Sequence, residues 1–203
     1  TSNIYAYEDG DFQIWHTENQ ELKLTDHSRI TAEEEFRWGG NASELFYHHY
    51  DFGTVCSVNK NLDLGVNYRQ IYEKKSGKFK AENMIHANVT PKLELWGFKL
   101  EDRNRFAYKH FDYQDDYSQY RNKVAIKYPF PFFKLELEPY VANEIFVDFK
   151  KDGGFVQNRL YGGLGIVIMK DMKAEFYYLF QSKKSSGEWK GANVFGSKFK
   201  IAF

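Results

Sequence analysis

The sequence predicts an all-β protein, a closed antiparallel transmembrane β-barrel of about twelve strands, with ten strands as the alternative. Three observations lead to this fold class. Apolar and polar residues alternate along most of the chain, which is the side-chain period of a β-strand. Tight connections such as "NKN" alternate along the chain with longer, more polar ones such as "EKKSGK". Membrane barrels have short turns at one end and longer loops at the other. Aromatic residues also gather near the ends of the predicted strands.

Length and composition favour a single domain, 1–203, with no linker and no low-complexity segment. Lys plus Arg and Asp plus Glu number 28 each, and no basic patch accompanies a nucleic-acid-binding module, so we exclude nucleic acid as a partner. Cys56 is the only cysteine, which excludes a disulfide framework and a cysteine metal cluster. No apolar run approaches the length of a transmembrane helix. We expect that a signal peptide has been removed before Thr1.

The first six strands are predicted over 12–24, 28–38, 46–58, 61–74, 79–89 and 96–111, and the segment 3–8 is a candidate for a further strand. In "RITAEEEFRW" and "NLDLGVNYRQ", apolar residues hold the even positions and charged residues hold odd ones. The pattern changes parity near the fifth strand, because apolar residues are odd from Ile85 to Leu95 and even from Trp96 onward. The turn that follows this strand therefore lies either at 90–92 or near Gly97.

The remaining strands are predicted over 117–128, 132–149, 155–169, 172–183 and 191–203. Apolar residues are even in "RNKVAIKYPF", "NRLYGGLGIVIM" and "KAEFYYLF", and odd in "KLELEPYVANEIFVDF". This makes eleven strands, twelve with the segment 3–8, and ten without a weak N-terminal strand. We favour twelve, because both termini of a bacterial membrane barrel face the periplasm and the count is then even.

The same alternation also builds soluble barrels, in which the apolar face points inward. In a membrane barrel lipid covers the apolar face and the polar face lines the lumen. Two features favour the membrane. Charges of both signs share the polar face, where they can pair across a lumen. Aromatic residues near strand ends match the belts of membrane proteins, namely Trp15, Trp38, Phe46, Tyr50, Trp96, Tyr108, Tyr128, Phe146 and Trp189. The predicted lumen-facing charged network comprises Glu33, Glu35, Arg37, Arg69, Glu101, Arg103, Arg105, Arg121, Lys123, Glu136, Glu138, Glu144, Arg159 and Glu175.

The last segment, "FGSKFKIAF", supports the membrane as well. A closed barrel has no edge, so its final strand is a full strand with one face toward lipid. Phe199, Ile201 and Phe203 resemble the C-terminal signal of bacterial outer-membrane proteins that the assembly machinery reads. We expect the bacterial outer membrane as the location. Outer-membrane lipids, lipopolysaccharide, the assembly machinery and other outer-membrane proteins are the expected partners.

Several motifs, taken in order, resemble a family of bacterial outer-membrane proteins known as domain of unknown function 2490. The stretch 32–70 resembles its opening hairpins, with an Asn-rich loop, Asp-x-Gly and Gly-x-x-Tyr-Arg. "LEDRNR" resembles its central Arg-x-Arg strand, "YRNKVAIKYP" and "EPYVANEIF" its next hairpin with Glu144 as the inward Glu, and "NRLYGGLG" the strand that follows. The resemblance implies a signal-cleaved, monomeric outer-membrane barrel and no established reaction. The composition, rich in Lys, Asn and Phe, suits a Gram-negative, Bacteroidota-like source.

The sequence leaves the activity open between a narrow, porin-like passive pore and a structural or accessory component of an outer-membrane assembly. A continuous water path through the lumen would indicate a pore, and a closed ladder of ion pairs would indicate the structural role. The alternatives are a lipid-active enzyme and a soluble ligand-binding barrel. We expect no enzyme, because neither of the main strand serines, Ser57 and Ser197, has a His two residues away on its own strand, although a cross-strand His is invisible from sequence. No catalytic residue, metal site or cofactor is predicted.

Overall fold

Twelve β-strands make up most of the described chain. The computed structural model describes residues 9–133, 135–150, 153–185 and 187–203, so the candidate strand at 3–8 lies outside the described residues. Within these ranges no helix has the length and apolar character needed to cross a membrane. The strands are β1 (Asp11–Lys23), β2 (Ser28–Gly39), β3 (Glu44–Asn59), β4 (Leu62–Lys75), β5 (Lys78–Leu95), β6 (Phe98–Phe111), β7 (Tyr117–Lys127), β8 (Phe130–Phe132), β9 (Leu135–Phe149), β10 (Gly154–Met169), β11 (Met172–Ser185) and β12 (Glu188–Ala202).

The strands form one closed sheet, which confirms the predicted all-β barrel. Each strand of the wall pairs with its neighbour in the chain, from β1 through β7, then β9 to β12, and β12 pairs with β1. Among the described residues the total of twelve strands agrees with the expected number, but only eleven of them form the wall. The three-residue strand β8 pairs with β9 in the register that β7 sets, since Lys127 lies opposite Tyr140 and Phe130 opposite Leu137. It therefore prolongs β7 beyond Pro129.

The seam between β1 and β12 is parallel, whereas the other wall pairs are antiparallel. Eleven strands require this, because an odd number of alternating strands brings two strands of the same direction together at closure. The expected even count therefore does not hold for the wall. The described part of the chain begins at one rim with β1, and β12 ends at the other, which we call the C-terminal rim. Turns 24–27, 60–61 and 96–97 lie at the C-terminal rim, and 40–43, 76–77 and 112–116 at the opposite rim.

The turn after β5 lies at Trp96-Gly97, one of the two positions that the sequence left open. Leu95 pairs with Phe98, so the hairpin loop has two residues. Both have positive φ, 53° for Trp96 and 82° for Gly97, which matches a tight hairpin turn with both central residues left-handed. A two-residue turn explains the parity change, because odd residues of β5 and even residues of β6 then share the outer face.

The outer face of the wall is mostly apolar and the inner face is largely polar. On β12, Phe195 and Phe199 point outward and are 47 % and 39 % exposed, whereas Val194 points inward and is fully buried. Lys198 also points inward, where it donates to Glu33. This is the reverse of a soluble barrel, in which the apolar face would be inside, and it is the arrangement of a barrel in lipid.

The inner face contains glycines that make room for large rings. A Cβ atom added at Gly163 would lie 2.5 Å from the Tyr140 ring, whereas one added at the adjacent Gly162 would have no neighbour within 4 Å. Tyr140 donates a hydrogen bond of 2.6 Å to Glu175, which holds the ring in place.

We therefore expect Gly163→Ala to lower the free energy of unfolding by about 1–3 kcal/mol through overpacking. Gly162→Ala is the matched control, and it should be neutral or slightly stabilising, because Ala narrows the unfolded ensemble. Urea unfolding of the barrel in lipid vesicles measures both. Equal effects at the two positions would contradict the packing explanation.

Candidate functional site

The predicted charged residues lie on the inner face, where most are at least half-buried. Glu136 differs, because it shares the parity of Glu138 but is exposed where β9 begins at the C-terminal rim. The structure brings most of the others together in a layer across the middle of the lumen. We call this layer the charged belt, and its members are Glu33, Glu35, Arg37, Arg69, Arg103, Arg105, Arg121, Lys123, Glu144, Arg159, Glu175 and Lys198.

Glu144 is the centre of one half of the belt. Its Oε1 accepts hydrogen bonds from Arg103 and Arg121 at 2.7 and 2.8 Å, and its Oε2 accepts one from the Tyr161 hydroxyl at 2.9 Å. Arg159 lies 3.6 Å away. The carboxylate is only 1 % exposed, so a single buried anion is shared by three guanidinium cations, which β6, β7 and β10 supply.

Arg69 is the centre of the other half. Its Nε donates to Asp51 at 2.6 Å, and its Nη2 donates to Glu33 at 3.2 Å. His86 contacts the same oxygen of Asp51 at 2.9 Å. Asp51, His86 and Arg69 are all at most 6 % exposed, so this cluster is also withdrawn from water.

Glu101 and Glu138 lie outside the belt, nearer the C-terminal rim, and pair with lysines. Lys127 donates to Glu101 at 2.8 Å, and Lys173 donates to Glu138. Lys99 lies 3.4 Å from Glu138. These pairs are partly exposed, so they contribute less to stability than the pairs of the belt.

A stack of aromatic rings and guanidinium groups also crosses the lumen. Arg37 lies 3.7 Å from the centroid of the Trp15 ring, and Arg159 lies 4.7 Å from the same ring. Trp15 is 2 % exposed, so its ring separates two cations inside the barrel. Such contacts are worth about 2 kcal/mol when desolvated. The complete stack runs in the order Tyr47, Arg37, Trp15, Arg159, Phe146 and Arg121.

Three of the aromatic residues that the sequence predicts at the membrane interface lie elsewhere. Trp15, Phe46 and Phe146 are at most 5 % exposed and lie inside the barrel, not at the lipid interface. Trp15 and Phe146 have the parity of inward residues on β1 and β9. Phe46 lies at a β-bulge, because Arg37 pairs with Tyr47 and Trp38 with Leu45, and the bulge turns its ring inward.

The charged belt divides the lumen into two vestibules. The vestibule at the opposite rim has a volume of about 750 Å³, and the one at the C-terminal rim has about 460 Å³. Between them a cavity of only about 100 Å³ is lined by the belt side chains. That volume holds a few water molecules, at about 30 Å³ each. At this level the lumen is therefore occupied mainly by side chains.

The acidic connection 112–116 at the opposite rim is tied to the end of β6. Asp116 accepts hydrogen bonds from the backbone N–H of Phe111 at 3.0 Å and from the Tyr108 hydroxyl at 2.8 Å, and His110 lies at 2.9 Å. The contact with His110, followed by these hydrogen bonds, lowers the pKa of Asp116 to about 2. Its carboxylate therefore stays charged at physiological pH. In the described part of the chain, no three His, Cys, Asp or Glu side chains are placed to hold a metal ion.

Comparison with known proteins places this barrel in a family. The sequence model of the family described as "Protein of unknown function (DUF2490)" matches residues 12–192. The chain belongs to this family. The resemblance found in the ordered motifs is therefore confirmed. No curated protein matches the chain.

Two solved structures share the barrel architecture of this chain. LpxR from Salmonella typhimurium superposes with a TM-score of 0.55 at 11 % identity, over 91 % of this chain and 87 % of that one. The β-domain of the Bordetella autotransporter BrkA superposes with a TM-score of 0.51 at 10 % identity, over 89 % of this chain and 86 % of that one. Both are outer-membrane β-barrels. At these identities the similarity establishes the fold alone.

Sequence reasoning missed Asp51 and His86 in the Arg69 cluster and the inward position of Trp15. His86, Asp51 and Trp15 share the parity of predicted inward residues on their strands, so the alternation contained the signal for them. Which charges pair could not be read from it, because Arg103, Arg121 and Arg159 reach Glu144 from strands that are far apart in sequence.

Proposed function

We propose that the chain is a closed barrel of the bacterial outer membrane that serves as a structural or accessory component of an outer-membrane assembly. The observation that carries the proposal is the charged belt, in which buried ion pairs such as Arg121–Glu144 and Arg69–Glu33 occupy the middle of the lumen. Buried ion pairs of this kind are strongly coupled to the fold, because removal of one partner leaves an uncompensated charge. A lumen built in this way supports the wall and leaves no room for a solute path.

The proposed location in the outer membrane is based on the fold, and the proposed orientation of the barrel is based on the connections at its two rims. Structural neighbours of this barrel are outer-membrane barrels, and the apolar outer face suits lipid. At the opposite rim the connections 40–43 and 112–116 span four and five residues, whereas 60–61, 96–97 and 170–171 at the C-terminal rim span two. Two connections depart from this division: 24–27 at the C-terminal rim has four residues, and 76–77, within the stretch EKKSGK that the sequence predicts to be a long loop, is a two-residue turn. We infer that the C-terminal rim faces the periplasm, as short turns do in such barrels. Lipopolysaccharide is then the proposed partner at the opposite rim, and the assembly machinery is the proposed reader of Phe199, Ile201 and Phe203.

Planar-bilayer recording tests the closed lumen. We expect the wild-type protein to produce no stepwise conductance at protein loads at which a general porin, inserted in the same way, conducts readily. Trp15→Ala removes the ring between the guanidinium groups of Arg37 and Arg159. If the stack contributes to closure of the lumen, this variant should produce brief openings. Insertion of folded protein is checked by its heat-modifiable gel mobility. Regular ion-conducting steps from the wild-type protein would overturn the closed-lumen proposal.

A further inference from the structure

The parallel seam carries a polar constellation on its outer face. His16 of β1 and Ser197 of β12 are direct partners across the seam. The Nδ1 atom of His16 lies 2.9 Å from the Ser197 hydroxyl oxygen, and its Nε2 atom lies 3.4 Å from Oε1 of Glu18. A hydroxyl, an imidazole and a carboxylate are thus connected in the order that nucleophilic catalysis requires.

These residues lie on the apolar outer face, among side chains that face lipid. Ser197 stands between Phe195 and Phe199 on β12, and His16 follows Ile14 on the outer face of β1. The side chains of His16 and Glu18 are 30 % and 50 % exposed toward the side that lipid covers. An ionisable side chain on the lipid face of a barrel is destabilising, to a degree that depends on its depth in the bilayer. A charge in such a place points to a function.

We propose that Ser197, His16 and Glu18 form a catalytic site on the outer wall that hydrolyses acyl esters of membrane lipids. This activity goes beyond the structural role, and it is independent of whether the lumen is closed. Ser197 is the nucleophile and His16 the general base and acid. Glu18 accepts a hydrogen bond from Nε2 of His16, so it holds the ring with Nδ1 free to accept the hydroxyl proton.

The reaction proceeds in two steps. The Ser197 oxygen attacks the carbonyl carbon of the ester, and its proton moves to Nδ1 of His16. The bond to the alcohol oxygen breaks, and His16 returns the proton to that oxygen, which leaves an acyl-serine. Water then attacks the acyl carbon and gives a proton to His16. The bond to Ser197 breaks, the serine oxygen recovers the proton, and a fatty acid is released.

The surroundings suit an acyl chain already dissolved in the bilayer. Phe176 is the partner of Ser197 on β11, and the rings of Phe176 and Phe199 contact each other at 6.3 Å between centroids. Phe199 also packs against the His16 ring at 5.7 Å. A lipid beside the wall meets these rings without leaving the membrane. The backbone N–H groups beside Ser197 belong to the sheet ladder, so they are not placed to stabilise the developing oxyanion, and we expect slow turnover.

Because turnover is expected to be slow, a covalent probe is the first test. Folded protein in lipid vesicles is treated with a lipid-soluble fluorophosphonate and analysed by mass spectrometry. We expect one adduct, on Ser197. It should be absent from Ser197→Ala and at least about 100-fold slower in His16→Gln, since a positioned general base contributes that much. Ser118→Ala is the control, because Ser118 is exposed on β7 away from the seam and should not affect labelling.

The second test identifies the lipid. The protein is placed in vesicles of phosphatidylethanolamine alone or of phosphatidylethanolamine with lipopolysaccharide, and released fatty acids are measured. Release from the first indicates a phospholipid ester, and release that requires the second indicates an ester of lipopolysaccharide. Either result supports the proposal if Ser197→Ala abolishes it. Glu18→Gln should lower kcat and leave KM unchanged, because Glu18 positions His16 and does not touch the lipid.

The proposal is overturned if folded protein forms no Ser197 adduct and releases no fatty acid from either vesicle. It is also overturned if labelling spreads over several serines or persists at full rate in His16→Gln. In those cases the bond between His16 and Ser197 only satisfies two polar groups at the seam.

Discussion

Replacing Glu144 with Gln is expected to lower the free energy of unfolding by about 3–5 kcal/mol, which is the usual cost of removing one partner of a buried ion pair. The change keeps the size of the side chain and removes only its charge. Arg103 and Arg121 then face each other, with Arg159 close by, without the anion that they share. Like charges held together in a poorly solvated lumen repel strongly, because the surrounding dielectric is low.

Urea unfolding in phospholipid vesicles, followed by tryptophan fluorescence, measures this loss. Glu136→Gln is the matched control, since Glu136 lies on the same strand and the same face but is exposed at the rim. Its effect should stay within about 0.5 kcal/mol, as for most surface substitutions. If Glu144→Gln costs less than about 1 kcal/mol, the belt does not support the wall and the structural proposal loses its main observation.

Arg69→Met should have a comparable effect in the other half of the belt. The substitution leaves the carboxylates of Asp51 and Glu33 without their shared cation, and both lie inside the barrel. We expect the free energy of unfolding to fall by about 3–5 kcal/mol. The double variant Asp51→Asn with Arg69→Met should recover part of this loss, because it also removes the charge of the carboxylate that Arg69 contacts most closely.

Arg29→Met is the control for Arg69→Met. Arg29 also contacts two carboxylates, Asp63 at 3.0 Å and Glu21 at 3.5 Å, but its side chain is 29 % exposed near the C-terminal rim. A partly exposed pair contributes less than a fully buried one, because water screens its charges. The same unfolding assay compares the two arginines. If both substitutions cost the same, burial is not the source of the stabilisation.

The alternation of side chains predicted much of this structure. It located the strands, and it assigned inward and outward faces for residues such as Arg37 and Phe199. The reason is that the faces of a strand are decided locally, by the two-residue period of the backbone. Most strand boundaries were also close. The fifth strand, predicted over 79–89, ends six residues later at Leu95, because the turn that follows it is Trp96-Gly97.

The candidate sites were less accessible to sequence reasoning. Ser197 and His16 stand 181 positions apart, and their contact exists only because the barrel closes in a parallel register. The search for a His two residues from a strand serine could not find this pair. Glu144 was singled out, but its role as the shared partner of Arg103, Arg121 and Arg159 depends on three other strands.

The sequence by itself determined that the chain is an all-β membrane barrel with an apolar outer face, because alternation, turn chemistry and aromatic placement are local properties of short segments. Only the tertiary structure decided how the barrel closes and what fills it. Closure depends on the number of strands and on the register at the seam, and neither can be read from a single segment of the sequence. The belt and the seam constellation follow from closure, since both bring together side chains from strands that are distant in the chain.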